Sequence, residues 1–408
     1  MALSLSDLWS SISVEVHEGS NVQKMVEGIG PWLGRSGVWP LAISLRMGYG
    51  YWQLNPDPDA ALDPILDLFI SFIGRWEDVQ LDLVGPFGSS ISSIHLLQAP
   101  LLKRFEVTFN FRTCEVVEPL FSMVSASPHL TDLVWYNNNC GIYHMSDSES
   151  LCDIAELTIP WSQLTRFKMG DTIQGNECLN VLNRCPNLID CTFESFPYDR
   201  PTLLPIPPDV SVVHQHLRAL TLGSRQYKLF DHLTLPALCT FALGRWDCDD
   251  EDWPQDSFTA FLLRSGCSLK TIELRTREVS SDQLIELLGL LPTLMELSIK
   301  GTTDALGDAL FHSLTYDETA EEPCLCPELK AITLGYSIAS SKGVLARMIE
   351  SRYCVDTSQS QIACLQRVTI MPEWCEKAWE EYLIELEVVR NKGLSVVVEQ
   401  EIYKHWLE

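Results

Sequence analysis

A short pattern of apolar residues recurs eleven times along this sequence and constrains its fold more than any other feature. Apolar residues occupy the first, fourth and sixth of six positions, most clearly at residues 238–243, 294–299 and 329–334. Recurrence at a roughly regular spacing is typical of repeat proteins, which stack one small structural unit many times. The sequence therefore predicts one elongated array of repeats instead of several globular domains.

The first apolar residue of each copy is called the anchor here. The anchors are Trp76, Leu102, Leu130, Leu164, Leu188, Leu217, Leu238, Leu269, Leu294, Leu329 and Leu365. Successive anchors are between 21 residues (217 to 238) and 36 residues (329 to 365) apart. Leucine-rich repeats are roughly 20–29 residues long, so the longer spacings predict insertions.

Six copies carry a proline two positions before the anchor. These prolines are Pro100, Pro128, Pro186, Pro236, Pro292 and Pro327. Proline is tolerated at the first residue of a strand, where no donor to the neighbouring strand is needed. We therefore expect each of these prolines to lie at the start of a strand.

Alternation within each copy predicts a strand with one buried face. In residues 294–299, Leu297 and Ile299 point to one side, and Glu296 and Ser298 point to the other. A single repeat cannot cover its own apolar face, so neighbouring repeats must stack to form a continuous core.

Helical patterns separate several of the strands. Residues 62–73, 256–263 and 280–291 have apolar residues three and four positions apart, and Ser280 with Gln283 forms a predicted capping box. The predicted fold class is α/β, a leucine-rich-repeat solenoid. Its parallel strands would form an arc on the concave side, with helices and irregular segments on the convex side.

Composition limits the partners and the location of the chain. The 408 residues include 55 acidic and 29 basic ones, a net charge of −26 without a basic cluster, which argues against nucleic acid and anionic membranes. No apolar run reaches the roughly 18 residues that span a bilayer, and no signal peptide is visible. We expect a cytoplasmic or nuclear protein whose 14 cysteines are mostly reduced and buried.

The sequence gives little support for an enzyme. No Cys-x-x-Cys pair, phosphate-binding loop or Gly-x-Ser-x-Gly motif is present. His214, His216 and His232 could in principle hold a metal, but polar positions near a strand are the favoured interpretation. Residues 247–252 begin like a calcium loop and lack its glycine at the sixth position. We predict no catalytic residue, cofactor or metal site, and an enzyme with an unrecognised site remains an alternative.

The outward strand positions supply the predicted binding surface. Basic and aromatic residues favour binding hot spots. The candidate partner-binding residues on the predicted concave face are Arg166, Lys168, Arg225, Tyr227, Arg245, Trp246, Arg275 and Lys300. Four glycines, Gly170, Gly223, Gly244 and Gly335, share one repeat position. They either allow the chain to turn away from the strand or leave a trough on the concave face.

Several stretches resemble fungal F-box proteins with degenerate leucine-rich repeats. Residues 7–14 (Asp-Leu-Trp-Ser-Ser-Ile-Ser-Val) resemble the end of the F-box, and residues 32–45 resemble the helix and strand that follow it. Residues 75–81 resemble the first full repeat, and residues 185–188 (Cys-Pro-Asn-Leu) are similar to the start of a repeat in that family. The likeness extends over nearly the whole chain.

The resemblance implies a substrate receptor of a Skp–cullin–F-box ubiquitin ligase, whose F-box binds the Skp adaptor and whose repeats hold the target. Residues 1–19 would hold only the end of an F-box, residues 20–373 the repeats, and residues 374–408 a helix and strand that cap them. No residue matches the adaptor-binding positions, so a Skp-type adaptor is an expected partner only if upstream sequence completes the F-box. The alternative is a free-standing repeat protein without a link to ubiquitin.

Overall fold

The structure is a computed structural model with two compact units, residues 1–203 and 204–404. Each unit is described by itself, and unit 1 precedes unit 2 in the chain. The described residues are 6–17, 19–48, 62–83, 90–91, 94, 97–109, 114–137, 158–170, 173, 175–194, 206–223, 226–244, 253–276, 279–301, 306–319, 324–336, 340–353, 362–372, 384, 386–387, 389–391 and 393–398.

In unit 1, seven parallel strands follow one another in chain order, with helices between some of them. Short 3₁₀ helices lie at Ser6–Trp9, Ile73–Arg75 and Trp161–Gln163. The elements are β1 Ser11–Val16, α1 Val22–Arg35, β2 Leu41–Met47, α2 Asp63–Ile70, β3 Trp76–Asp82, β4 Arg104–Phe109, α3 Cys114–Ser125, β5 Asp132–Asn137, β6 Arg166–Gly170, α4 Gly175–Arg184 and β7 Asp190–Glu194.

In unit 2, seven parallel strands again follow chain order, and β8 and β10 form a separate parallel pair. A 3₁₀ helix lies at Gln226–His232. The other elements are β8 Val212–Val213, β9 Ala219–Leu222, β10 Leu233–Thr234, β11 Thr240–Leu243, α5 Gln255–Ser265, β12 Thr271–Thr276, α6 Ser281–Gly289, β13 Glu296–Gly301, α7 Asp308–Leu314, β14 Ala331–Tyr336, α8 Val344–Tyr353, β15 Arg367–Pro372 and β16 Ser395–Val398.

The prediction of a mixed α/β protein with many parallel strands is confirmed. The eleven predicted repeats supply β3–β7 in unit 1 and β9 and β11–β15 in unit 2, and each strand includes the residue two positions after its anchor. Those residues are direct partners, such as Thr271 with Glu296 and Glu296 with Ala331. Strands β1, β2 and β16 lie outside the eleven copies, and β1 pairs with β2 from within the predicted segment 1–19.

Backbone hydrogen bonds set this register one residue after the anchor. The carbonyl of Lys103 accepts from the amides of Thr131 at 2.9 Å and Asp132 at 3.1 Å, which are the corresponding residues of the next repeat. The same pair of bonds recurs at the carbonyls of Thr131, Thr165, Arg218, Cys239, Lys270, Met295 and Lys330. Each repeat is therefore aligned with its neighbour before the strand begins.

The core contains the anchors, the inward strand residues and the apolar faces of the helices, such as Phe258 and Phe261 of α5. All eleven anchors have 0% exposure, and Leu297 and Ile299 of β13 are 1% exposed. Fully burying a leucine stabilises a protein by roughly 1.5–3 kcal/mol, so each repeat contributes substantially to its neighbours' stability. The prediction of buried thiols is confirmed for four free cysteines and not for four others, which are free but partly exposed. The buried ones are Cys178, Cys185, Cys191 and Cys326, and the partly exposed ones are Cys239, Cys267, Cys324 and Cys364.

The predicted position of the six prolines is wrong. In these six repeats the strand begins two residues after the anchor, so the proline lies four residues before the strand, inside a turn. The anchor amide closes that turn: Leu102 donates to Ala99 at 3.2 Å, and Leu294 donates to Leu291 at 3.2 Å. Proline suits the second position of such a turn because its φ is already fixed near the required value.

The predicted helices are present with small changes in their ends. Helix α6 begins with the predicted capping box, in which the Ser280 hydroxyl accepts from the Gln283 amide at 3.2 Å. The Gln283 side chain accepts from the Ser280 amide at 2.9 Å. Helix α2 ends at Ile70, before the predicted residue 73, and a 3₁₀ turn at Ile73–Arg75 follows it.

A buried arginine connects the last helices of unit 2. The Arg352 guanidinium of α8 donates to the carbonyl of Leu314 at the end of α7 at 2.5 Å and to the carbonyl of Cys326 at 3.0 Å. It also donates to the carbonyl of Leu325. Arg352 has 0% exposure, and burial lowers the pKa of its guanidinium.

Two other arginines bind main-chain carbonyls of the preceding repeat in the same way. Arg264 of α5 donates to Leu233 at 2.8 Å and to Phe230. Arg75 donates to the carbonyl of Trp39 at 2.7 Å. Because a guanidinium carries five donors in a fixed plane, one side chain can satisfy several carbonyls that the strands leave unpaired.

The inward and outward positions of β13 should differ sharply in their contribution to stability. Leu297→Ala should lower the free energy of unfolding by about 2–5 kcal/mol because it leaves a cavity in the core. Glu296→Ala, at a side chain that is 52% exposed, should change it by less than about 1 kcal/mol. Urea unfolding followed by circular dichroism measures both, and equal effects would contradict the assigned register.

Removing the Arg352 side chain should destabilise unit 2. Arg352→Met leaves several buried carbonyls without donors, and each unsatisfied group costs about 1–3 kcal/mol. Arg347→Met changes an exposed arginine of the same helix and is the matched control. Thermal unfolding should show a clearly lower Tm for Arg352→Met alone; a shared small shift would show that the carbonyl contacts contribute little.

Candidate functional site

The outward face of unit 1 carries one ordered row of alternating charges. On β3 to β7, the residue two positions after the anchor pairs directly with the corresponding residue of the neighbouring strand. We call this row the charged ladder; its members are Asp78, Arg104, Asp132, Arg166 and Asp190. Opposite charges on neighbouring strands attract, whereas like charges at these positions would destabilise the sheet.

Each arginine of the charged ladder is shared between two aspartates. Arg104 lies 3.7 Å from a carboxylate oxygen of Asp78 and 3.7 Å from one of Asp132. Arg166 lies 3.3 Å from Asp132 and 3.6 Å from Asp190. Exposed ion pairs of this kind contribute about 0–1 kcal/mol each, so the ladder orders the surface more than it stabilises the fold.

Asp132 is the least exposed carboxylate of the charged ladder. Its side chain is 15% exposed, and burial raises the pKa of its carboxyl group. The charges of Arg166 and Arg104 oppose this shift without cancelling it, and those of Asp78 and Asp190 add to it. The raised pKa of Asp132 therefore reflects its burial beneath the two arginines.

A second row extends the network along the same face. Gln80 of β3 donates to Glu106 of β4 at 2.8 Å, and Arg104 donates to the same carboxylate group at 2.8 Å. On the other side, Arg46 of β2 donates to the Gln80 side-chain oxygen at 3.1 Å. Polar contacts thus run continuously from β2 to the charged ladder.

Tyr136 is the centre of a cluster at the far end of β5–β7. Its hydroxyl donates to Glu194 at 3.0 Å, and the Lys168 amine lies 3.0 Å from the same carboxylate group and 5.0 Å from the ring centre of Tyr136. Burial raises the pKa of the Tyr136 hydroxyl, and the charge and hydrogen bond of Glu194 raise it further. The hydroxyl therefore remains a donor at neutral pH.

Gly170 and Gly335 provide room for a neighbouring side chain, and Gly244 lies against the backbone of Leu222 and Gly223. Neither predicted interpretation described this packing. Gly170, Gly244 and Gly335 have no positive φ, so no left-handed turn requires them. A Cβ at Gly170 would lie 2.2 Å from the ring of Tyr136, and one at Gly335 would lie 2.9 Å from Lys300. The predicted trough is therefore filled at both positions.

On unit 2, one carboxylate joins two cations on the outward face of β12 and β13. Glu273 lies 2.9 Å from Arg275 and 3.2 Å from Lys300, which is only 9% exposed. Burial alone would raise the pKa of Glu273, but the charge of Lys300 and the charge and hydrogen bond of Arg275 outweigh it and lower the pKa. This cluster is a stable ion-pair network.

The neighbouring strands β9 and β11 have small outward residues. Ala219 and Thr221 of β9 lie beside Thr240 and Ala242 of β11, and all four are partly exposed. On β13 and β15 the outward Glu296 and Arg367 are 3.9 Å apart. Unit 2 thus has a flatter and less charged face than unit 1.

The structure places five of the eight predicted binding residues. Arg166, Lys168, Arg275 and Lys300 lie on outward strand positions, and each contacts a carboxylate. Tyr227 lies in the 3₁₀ helix Gln226–His232, away from the strands. The other predicted residues, Arg225, Arg245 and Trp246, lie outside the described residues.

Tyr136 and Glu194 were not predicted as site residues, although both occupy outward positions in the register. The signal in the sequence was Gly170, the strand partner of Tyr136. Because glycine has no side chain, it leaves space for a large side chain on the neighbouring strand. Sequence reasoning favoured cations and missed that carboxylates outnumber them on β3–β7.

The described residues contain neither a cluster of metal ligands nor a membrane-spanning helix. No three histidine, cysteine, aspartate or glutamate side chains there are grouped in a way that could hold a metal ion. No helix in the same residues has the length and hydropathy to cross a membrane. The predicted C-terminal cap, residues 374–408, falls mostly outside the described part, except for short helical pieces and β16.

Comparison with protein-family models and with curated proteins finds no match to this sequence. The geometry of the chain itself therefore carries the functional argument.

Gly170→Ala should test the packing of Tyr136. The added Cβ displaces the ring, so the free energy of unfolding should fall by about 1–3 kcal/mol. In a Tyr136→Ala background the same substitution should have little further effect, which a double-mutant cycle detects. Gly28→Ala, in α1 with open space around it, is the control and should not destabilise. Additive effects of the two substitutions would contradict the contact.

The Glu273 network should make a pH-dependent contribution to stability. Because its pKa is lowered from the ordinary 4.5, this contribution is present above pH 4.5 and is lost as pH falls through the folded-state pKa. The difference in unfolding free energy between wild type and Glu273→Gln should therefore narrow from pH 6 to pH 3. A difference that is constant or widens over this range would contradict the ion-pair assignment.

Proposed function

We propose that this chain is a protein-binding scaffold of the leucine-rich-repeat type, whose outward strand face holds a partner protein. The observation that supports this most is the register: the inward position of each strand is buried, and the outward positions of successive strands lie side by side. Such a solenoid would bring side chains from distant parts of the sequence onto one extended surface.

The chemistry of that surface also favours binding. Its charged side chains are held by ion pairs and hydrogen bonds, as in the Tyr136, Lys168 and Glu194 cluster. Side chains already fixed in place lose little entropy when a partner binds. A preorganised polar face of this kind suits recognition of another macromolecule.

The resemblance of residues 7–14, 32–45 and 75–81 to F-box proteins suggests the cellular role. We propose that the repeats hold the target of a Skp–cullin–F-box ubiquitin ligase in the cytoplasm or nucleus, with a Skp-type adaptor as partner if an F-box accompanies this chain. A free-standing repeat protein that binds its partner without ubiquitin is the other outcome that the following experiment can give.

Site-specific photocrosslinking tests this function. A photoreactive amino acid at Thr108 or Thr192, both outward strand positions in unit 1, should form a discrete adduct with a partner in cells that express the full chain. The same probe at Asn183, an exposed residue of α4, is the matched control and should form none. Adducts only at Asn183, or none at any position, would contradict the proposed function.

Proteasome inhibition separates the two roles. If the partner is a ubiquitination target, inhibition should increase the amount of adduct at Thr192. An adduct whose amount does not change would indicate the free-standing interaction protein.

A further inference from the structure

The outward face of unit 1 has an excess of carboxylates, although the sequence suggested a basic binding surface. On β3–β7 this face has six carboxylates and three cations, a net charge of −3, whereas on β9 and β11–β15 it has two carboxylates and three cations. The carboxylates at the outward positions of β3–β7 are Asp78, Asp82, Glu106, Asp132, Asp190 and Glu194, and the cations there are Arg104, Arg166 and Lys168.

The ionisation of groups on this face is consistent with that excess. Burial is the main cause of the raised pKa of Asp132, and the charges of Asp78 and Asp190 add to it. Burial also raises the pKa of Tyr136, with further increases from Glu194 and Glu106. For Tyr136 the nearby negative charge favours the protonated form, whereas at Asp132 burial does so and the charges of Arg166 and Arg104 oppose it.

The carboxylates are accessible to a partner. The side chains of Asp78, Asp190 and Glu194 are 48%, 41% and 38% exposed. Each already contacts a cation of the chain, and for Asp78 and Asp190 that cation is an arginine shared with Asp132. A partner cation can therefore reach these three carboxylates without disturbing the core, whereas Asp132, between Arg104 and Arg166, is only 15% exposed.

The spacing of the charged ladder points to the shape of the partner. Asp78, Asp132 and Asp190 lie on alternate strands, and neighbouring strands are about 4.8 Å apart, so the aspartates repeat every ~9.6 Å. A polyproline II segment has three residues per turn and rises ~3.1 Å per residue, so it presents the same side every ~9.3 Å. Same-side residues of a β-strand are only ~6.8 Å apart and do not match.

We propose that the outward strand face of unit 1 binds a basic segment of a partner protein in a polyproline II conformation, with lysine or arginine at every third position. The segment would lie across β3–β7, with successive cations at Asp78, Asp132 and Asp190. The inference rests on the proposed scaffold function and specifies the partner chemistry of the same surface.

Peptide binding to the full chain tests this inference by fluorescence anisotropy. The probe is a labelled peptide of four Lys-Pro-Ala triplets, and the comparison peptide has the same composition with its lysines consecutive. Wild type should bind the periodic peptide more tightly than the comparison peptide. Affinity should fall as salt increases, because exposed charges are screened.

Charge-neutralising variants locate the binding face. Asp78→Asn and Asp190→Asn should each lower the affinity for the periodic peptide by about two- to fivefold at low salt. Glu296→Gln, which changes a similarly exposed and ion-paired carboxylate of unit 2, should leave affinity unchanged. Circular dichroism and Tm confirm that the variants are folded, since all three substituted side chains are substantially exposed.

Three results would overturn the inference: no binding of the periodic peptide, tighter binding of the comparison peptide, or an equal loss in Glu296→Gln. If the peptide fails to bind while the Thr192 probe still captures a partner, the scaffold function stands and only the basic-segment inference fails. If the Thr192 probe also captures nothing, the proposed function fails as well.

Discussion

The structure depends on the burial of one apolar layer by each repeat against the next. No repeat can cover its own anchor and inward strand residues, and the anchors are fully buried only because a neighbour lies on either side of most of them. The backbone enforces the same stacking, since a carbonyl such as that of Lys103 binds two amides of the following repeat. Apolar burial and hydrogen bonding thus select the same register.

The charged outward surface is a consequence of that register. Once residues two positions after each anchor are aligned, the charges at those positions become neighbours in space even though they are 24 to 34 residues apart in sequence, as between 166 and 190 and between 132 and 166. Alternation of aspartate and arginine then makes each strand electrostatically compatible with the next. The same alignment displays a polar surface whose charge differs between the two units.

Much of the fold could be predicted because its signals are local and periodic. The anchors, the strand register and the Ser280 capping box all follow from residue spacing. The role of the prolines could not be read correctly, because a turn and a strand start both tolerate proline, and only the anchor hydrogen bond distinguishes them. The buried Arg352 was missed because nothing in its local sequence shows that distant carbonyls would surround it.

The outward position of four candidate residues was predicted, but the charge around them was not. The repeat spacing identified Arg166 and Lys168 as outward. Whether their charges are already paired depends on which side chains lie on the adjacent strands. Those contacts join residues far apart in sequence, such as Tyr136 with Glu194.

Chemical crosslinking of adjacent strands tests the central claim of in-register stacking most directly. Cysteines placed at the partner positions Ser298 and Thr333, or Thr333 and Thr369, should be joined by a short bifunctional thiol reagent. Cysteines at Ser298 and Thr369, two strands apart, should need a reagent that spans about 10 Å. Equal crosslinking of all three pairs by the short reagent, or none for the two partner pairs, would contradict the stacking.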